Sequence, residues 1–476
     1  MEQETNASLV KESKFSRFFG IKKSGSSIKT EILAGVTTFL TMAYILMVNA
    51  GMLSQTGPSY EAIYIATALG AISGTLIMAL VARLPFALAS GMGLNAFFVY
   101  TICLGLGFTY GNALVFVLFD GIVFVLLTIT GLRKKIFNAI PKVVRISISA
   151  GIGLFIAFLG LQDAGIIVGN ASTLVQLQSL NFLNGQTWGT VMPILVCFTG
   201  VIAICVLTKK QVKAATLYGI VGSTLLYYLL GLTVPGFYTN FDLGNMNPFA
   251  AFKAWGKEAF LQVFISGFDY SAYIAANGVG SFILNMFTSV LAFTMVDMFD
   301  TIGTLYGTCQ RANMVTPEGD VPNMNKAMLS DAIATCTGAI AGTSTVTTFV
   351  ESSSGITEGG RTGLTSLSTA ACFVLAMFLA PIARLIPSCA TSTALIFVGI
   401  LMMGSVKEIE WNDIAEALPA FVTIVMMPLT YNISYGIGLG IITYCLIKLF
   451  TGKAKDISVL TAVIGVLFIA TFFLTH

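Results

Sequence analysis

The sequence predicts an all-α polytopic membrane protein built as two inverted seven-helix repeats, and three observations carry that reading. Of its 476 residues, 56% are hydrophobic and 10% charged, where soluble domains carry about 25% charged residues. Mean hydropathy is +0.86, and apolar runs of about 20 residues, the length that crosses a bilayer as a helix, recur along the chain. A polar and aromatic stretch at 233–280 divides the runs into two sets of seven that start from opposite sides. That is the arrangement of an inverted-topology repeat.

Residues 1–32 form a polar N-terminal segment, with no isolated apolar core before a cleavage site, so no cleavable signal peptide is expected. Lys22, Lys23 and Lys29 precede the first run and place the N-terminus in the cytoplasm, where basic loops stay. Runs follow near 33–52, 62–82, 86–107, 111–130, 143–162, 189–208 and 213–232. Arg83, then Arg133-Lys134-Lys135, then Lys209, Lys210 and Lys213 end the second, fourth and sixth, so three further loops agree. Residues 233–280 read as an extracellular loop with surface-lying pieces. The second set lies near 281–307, 327–342, 344–360, 363–383, 388–405, 413–430 and 432–450. Short matches recur in the right order between the halves: Leu33-Ala34 with Leu291-Ala292, Ile140-Pro141 with Ile386-Pro387, Trp188 with Trp411, and Tyr218-Gly219-Ile220 with Tyr435-Gly436-Ile437. The run 457–474, in a hydrophobic tail at 451–476, has no counterpart. It is either a fifteenth crossing or a sign that one crossing is misplaced.

Composition excludes much chemistry. The only histidine is His476, which removes histidine-based triads and metal sites. Eight cysteines form no Cys-x-x-Cys pair, and most lie in apolar runs as small hydrophobes. A net charge of +3 does not suit nucleic acid. No metal, cofactor or catalytic constellation is expected, and the chain does not read as an enzyme.

Two segments in equivalent places, the third and the tenth, are interrupted. The third runs Ser90-Gly-Met-Gly-Leu-Asn95-Ala-Phe-Phe after Pro85; the tenth runs Gly342-Thr-Ser-Thr-Val-Thr-Thr-Phe-Val-Glu351-Ser-Ser-Ser-Gly355. The β-branched run of the tenth favours a strand leading into a short helix. Irregular backbone at membrane depth persists only inside protein or beside a cavity, and paired interruptions mark a transporter's binding site. Half-helices starting near Asn95 and Ser352 would aim free N–H groups at a ligand.

Intramembrane acids are the second signal, being costly and usually functional. Asp297, Asp300 and Thr301 share one face of the eighth segment by i, i+3, i+4 spacing. Glu351 lies at the break of the tenth, Asp120 midway along the fourth and Asp331 early in the ninth. No intramembrane lysine or arginine is expected to pair with them, and an unpaired carboxyl is cheaper to bury protonated, which suits a proton-coupled carrier. Carboxylates with Asn95 and the faces of Phe97, Phe98 and Phe349 suit a planar, neutral, N–H-rich heterocycle.

The tenth-segment run, Ala34-Gly-Val-Thr-Thr-Phe-Leu-Thr-Met-Ala-Tyr-Ile, Ser90 to Phe98 and Val296-Asp-Met-Phe-Asp300-Thr closely resemble the AzgA-like branch of the nucleobase:cation symporter-2 family, over about 15–450. The resemblance implies uptake of hypoxanthine, guanine or adenine with a proton, in a prokaryotic plasma membrane. It implies the uracil-permease fold: a core domain (33–130 and 281–387), a gate domain (131–232 and 388–450), short strands in the third and tenth segments, and a homodimer through the gate. Carried over, Glu351 and Asp297 hydrogen-bond the base or hold the proton, and Asp300 joins the coupling. Asn95 and Thr41 border the pocket. Gly91, Met92, Phe349 and Val350 offer backbone groups. Asp120 and Asp331, which the resemblance does not assign, are read from their place in the sequence as structural or gating residues. The uracil permeases carry histidines on the eighth segment; this chain has none there. The expected mechanism is elevator-type alternating access. A sodium-coupled purine carrier, or an anion carrier of the same architecture, stays open at this point.

Overall fold

The computed structural model describes residues 14–132, 140–237, 247–311, 314, 321 and 323–474. The cluster Arg133-Lys134-Lys135 and His476 lie outside the described residues.

The first segment is helical from Ile28 to Met42, breaks at Ala43 and resumes over Tyr44–Leu53. It starts five residues before the apolar run because Ser27 caps it, its side chain accepting the Thr30 N–H at 3.1 Å. The second segment, Tyr60–Ile77, ends in wide π-helical turns over Met78–Ala82. The third is a strand, Leu88–Ser90, followed by a helix from Met92 that widens at Phe97–Gly105. The fourth to seventh are Tyr110–Thr130, Lys142–Asp163, Trp188–Lys209 and Ala215–Thr233. An exposed hairpin, Ile167–Asn170 with Leu174–Leu177, joins the fifth to the sixth.

In the dividing stretch, helix Pro248–Glu258 packs on the second segment. Glu258 accepts the N–H and hydroxyl of Ser59 at 2.8 and 2.6 Å, and Trp255 Nε1 donates to Ala341 O at 2.8 Å. The eighth segment is helical from Ser271 to Arg311, interrupted at Gly278 (φ 80°). Asp269 caps the short piece before Gly278, accepting the N–H and hydroxyl of Ser271, and the main helix starts after Gly278, close to the expected 281. The ninth is Met324–Ala341. The tenth is strand Val346–Thr348 with helix Ser352–Thr357, and the eleventh is Gly363–Met377. Ser388–Met402, Ile414–Thr430 and Ile433–Phe450 complete the second set. The tail forms a fifteenth helix, Val459–Leu474, packed along the fourteenth segment with Phe468 fully buried. Among the described residues, nine helices are long and apolar enough to cross a membrane.

The contacts sort into two groups. Segments one to four pack with eight to eleven; five to seven pack with twelve to fourteen. Between the groups, Tyr100 meets Tyr431 and Phe155, and the Tyr431 carbonyl accepts the Thr101 hydroxyl at 3.3 Å. At the opposite end Lys213 and Glu358 pair at 2.6 Å.

Candidate functional site

The site starts from two segments that cannot stay helical. Pro85 lacks an N–H, and the threonine run before Phe349 prefers extended backbone. Leu88–Ser90 and Val346–Thr348 pair antiparallel, with Leu88 opposite Thr348 and Ser90 opposite Val346. The Gly91 N–H donates to Thr345 O, and the Phe349 N–H to Ala87 O, each at 3.0 Å. Ser352 Oγ accepts the Ala87 N–H at 3.0 Å, and Thr75 Oγ1 serves both the N–H and the C=O of Leu88. No lipid or water is needed to satisfy this backbone, which is what membrane depth demands. Gly91 is required at the strand end. A Cβ there would lie 2.7 Å from Thr347 Cγ2 and 4.0 Å from Asp300 Oδ2.

Each strand feeds a short helix. Met92–Ala96 carries Asn95, fully buried, whose Nδ2 donates to Ser90 O at 3.4 Å while its Oδ1 has no hydrogen-bond partner. The other helix departs from expectation. The N–H groups of Ser352, Ser353 and Ser354 donate to the carbonyls of Phe349, Val350 and Glu351 at 3.1, 3.0 and 2.9 Å. The turn consumes its own donors, and the partly exposed polar group at that end is the Glu351 carboxyl. Val350 beside it is 46% exposed, whereas Met92 and Phe349 are nearly buried. Phe97 and Phe98 are fully buried, packed against Phe293 and Tyr110. Their rings build the scaffold rather than a pocket wall.

Five carboxyls lie around the strands in two sets. Asp300 and Glu351 are partly exposed and within electrostatic reach of each other. Glu351 Oε1 accepts the Tyr44 hydroxyl at 2.6 Å, and Thr41 Oγ1 lies 3.5 Å from Glu351 O. Asp120, Asp297 and Asp331 are fully buried. Asp331 accepts the hydroxyls of Thr301 and Thr348, both at 2.8 Å, and Asp297 Oδ2 accepts that of Thr335 at 3.3 Å. Among the described residues none of the five forms an ion pair. Lys448, on the fourteenth segment, is buried against Glu416 at 2.9 Å, in the other packing group. The i, i+3 spacing placed Asp297 and Asp300 together. In the structure Asp300 comes within electrostatic reach of Glu351 and Asp297 within reach of Asp331 and Asp120, while Asp297 and Asp300 remain within reach of each other.

The Xan_ur_permease profile, described as a permease family, matches residues 29–439. The chain belongs to this family. Adenine permease AdeP of Escherichia coli K12 is 37% identical over 453 residues, 95% of this chain and 94% of that protein. Guanine/hypoxanthine permease PbuO of Bacillus subtilis 168 is 37% identical over 468 residues, 96% of this chain and all of that protein. In fold, the permease resembles the transmembrane domain of a cyanobacterial bicarbonate transporter, BicA. The TM-score is 0.61 at 17% identity, over 86% of this chain and 97% of that one. This is a multi-pass membrane protein with two seven-segment halves.

Two residues of the permease escaped the sequence reading. Tyr44 sits in an uninterrupted apolar run; the signal was its hydroxyl, which needs a partner when buried. Glu31, fully buried, accepts the N–H groups of Arg361 and Thr362 and the Thr365 hydroxyl at 3.0, 3.2 and 2.6 Å. It caps the eleventh segment from the first.

Proposed function

We propose that this permease carries purine bases, namely guanine, hypoxanthine or adenine, into the cell with a proton. The observation that carries the reading is a strand pair flanked by Asn95 and Glu351, with Asp300 alongside and, among the described residues, no cation paired to any of them. A carboxylate accepts N–H groups and an amide both donates and accepts, which matches the edge of a neutral purine. The permeases named for adenine and for guanine and hypoxanthine, similar over nearly their whole length, support the same class. An anion carrier would want a basic residue here.

In this reading Glu351 binds the base, with Asn95, Thr41, Met92 and the Gly91, Phe349 and Val350 backbone around it. Asp297, Asp300 or Glu351 takes the proton. The first packing group is the core (33–130 and 281–387) and the second the gate (131–232 and 388–450). The core slides against the gate with base and proton bound, since neutralising a buried charge lowers the cost of moving it. The N-terminus faces the cytoplasm, the cell membrane is the site of action, and two gates form the dimer contact.

Uptake of labelled hypoxanthine by cells without purine carriers tests this, with unlabelled guanine, adenine and uracil as competitors. Uptake that purines block and a protonophore abolishes is expected. Uptake that survives the protonophore but fails when choline replaces sodium would make the carrier sodium-coupled.

A further inference from the structure

Asp120 is the buried acid that transport by Glu351 leaves unused. It lies midway along the fourth segment, fully buried. Helix four meets helix nine backbone to backbone beside it: a Cβ on Gly121 would lie 2.6 Å from Cys336 Sγ and 2.9 Å from Cys336 N. That approach presses Asp120 into the core. Neither of its oxygens has a hydrogen bond of good geometry, and Asp297 Oδ1 and Thr345 Oγ1, both fully buried, are likewise without a partner. The groups around Asp120 come from three elements: Asp297 and Thr294 on the eighth segment, Asp331 and Cys336 on the ninth, and Thr345 at the strand of the tenth; Asp297 in turn also has Asp300 of its own helix and Thr347 within reach. None of these is a cation. Two carboxylates left charged and unpaired together in a dry core cost several kcal/mol each. A single proton shared between them removes one charge and supplies the missing donor.

We propose that Asp120 and Asp297 together hold the coupling proton, with the Thr345 hydroxyl as its third partner, so that the cation sits on segments four, eight and ten while Glu351 is left to the base. This rests on the reading of the chain as a proton-coupled purine permease. It makes the Thr345 hydroxyl, on the residue whose carbonyl accepts the Gly91 N–H, a link between proton and strand pair.

The test uses the full chain in liposomes with an imposed gradient of one pH unit, which supports about tenfold accumulation for one proton per base. Asp120→Asn keeps the shape and removes the proton site. Labelled hypoxanthine should still exchange for unlabelled base, but accumulation should fall to the external concentration, and base-driven proton entry should vanish. Accumulation equal to that of the unaltered chain overturns the inference. Should Asp120→Asn not reach the membrane, Thr345→Val replaces it: a shift in the pH of half-maximal uptake by about half a unit or more supports the site, and an unshifted profile overturns it. An unaltered chain that accumulates purines on a sodium gradient alone also overturns it. An unaltered chain that moves no purine at all fails the functional reading instead.

Discussion

Asp300 and Glu351 differ from Asp120, Asp297 and Asp331 in what their oxygens meet. All five are acids at membrane depth, and none has an ion-pair partner among the described residues. The first two stand partly exposed, one of them oriented by the Tyr44 hydroxyl. The other three are sealed, and Asp331 and Asp297 accept threonine hydroxyls. A carboxyl whose oxygens end on fixed hydroxyls belongs to the scaffold or holds something as small as a proton. A carboxyl at an opening can exchange a solvent partner for a ligand. Identical side chains thus divide by access, and the division predicts which substitutions damage binding and which damage the fold.

The largest effect is expected at Glu351. Glu351→Gln keeps the shape and loses the charged acceptor, a difference of about 3 kcal/mol for a hydrogen bond to a charged group. Base binding should weaken roughly a hundredfold, with the thermal midpoint of the purified protein unchanged. Equilibrium binding of labelled hypoxanthine measures the first and a melting curve the second. A lowered midpoint with intact binding would erase the contrast between the two sets.

Asp331 should show the reverse. Asp331→Ala strands the Thr348 hydroxyl, at a cost of about 1 to 3 kcal/mol when buried without a partner, and takes one of two partners from the Thr301 hydroxyl. The thermal midpoint should fall by several degrees while the affinity of whatever protein remains folded stays close to that of the unaltered chain. Asp331→Asn, whose amide oxygen still accepts one hydroxyl, should fall less. Thr301 also bonds Thr347 at 2.8 Å, so the damage should spread into the strand pair, and Thr348→Val should add little once Asp331 is gone.

Tyr44→Phe comes third. Removing one hydroxyl that donates to Glu351 Oε1 removes about 1 kcal/mol of orientation, which should raise KM for the base about fivefold. Tyr44 also marks where the sequence stops speaking. Interrupted segments are legible because proline, glycine and clustered threonines declare themselves, and intramembrane acids because each is expensive. The Tyr44–Glu351 contact joins residues 307 positions apart through a helix break at Ala43 that no glycine or proline announces. Which further acids Asp297 and Asp300 meet was equally hidden. Spacing places both on one face, but only the packing of segments four, nine and ten around the eighth decides which neighbour each meets. The donors at Ser352–Ser354 were misjudged for a related reason: a strand that turns directly into a six-residue helix uses its first N–H groups to close the turn.

The smallest effect is expected where an acid has both a cation and water. Glu358 pairs with Lys213 at 2.6 Å, with side chains 33% and 59% exposed, and pairs of that kind contribute about 0.2 to 1 kcal/mol. The pair nevertheless joins the two packing groups, at the end opposite the Tyr431 cluster. Lys213→Met should therefore leave base affinity and thermal midpoint unchanged and alter the transport rate by no more than about fivefold. Salt at about 1 M, where screening acts within about 3 Å, should abolish even that difference. A rate change of a hundredfold would mean that a hydrated ion pair controls the motion. The division of the acids by access would then fail at its exposed end, because a carboxylate with every means of compensation would matter as much as those that have none.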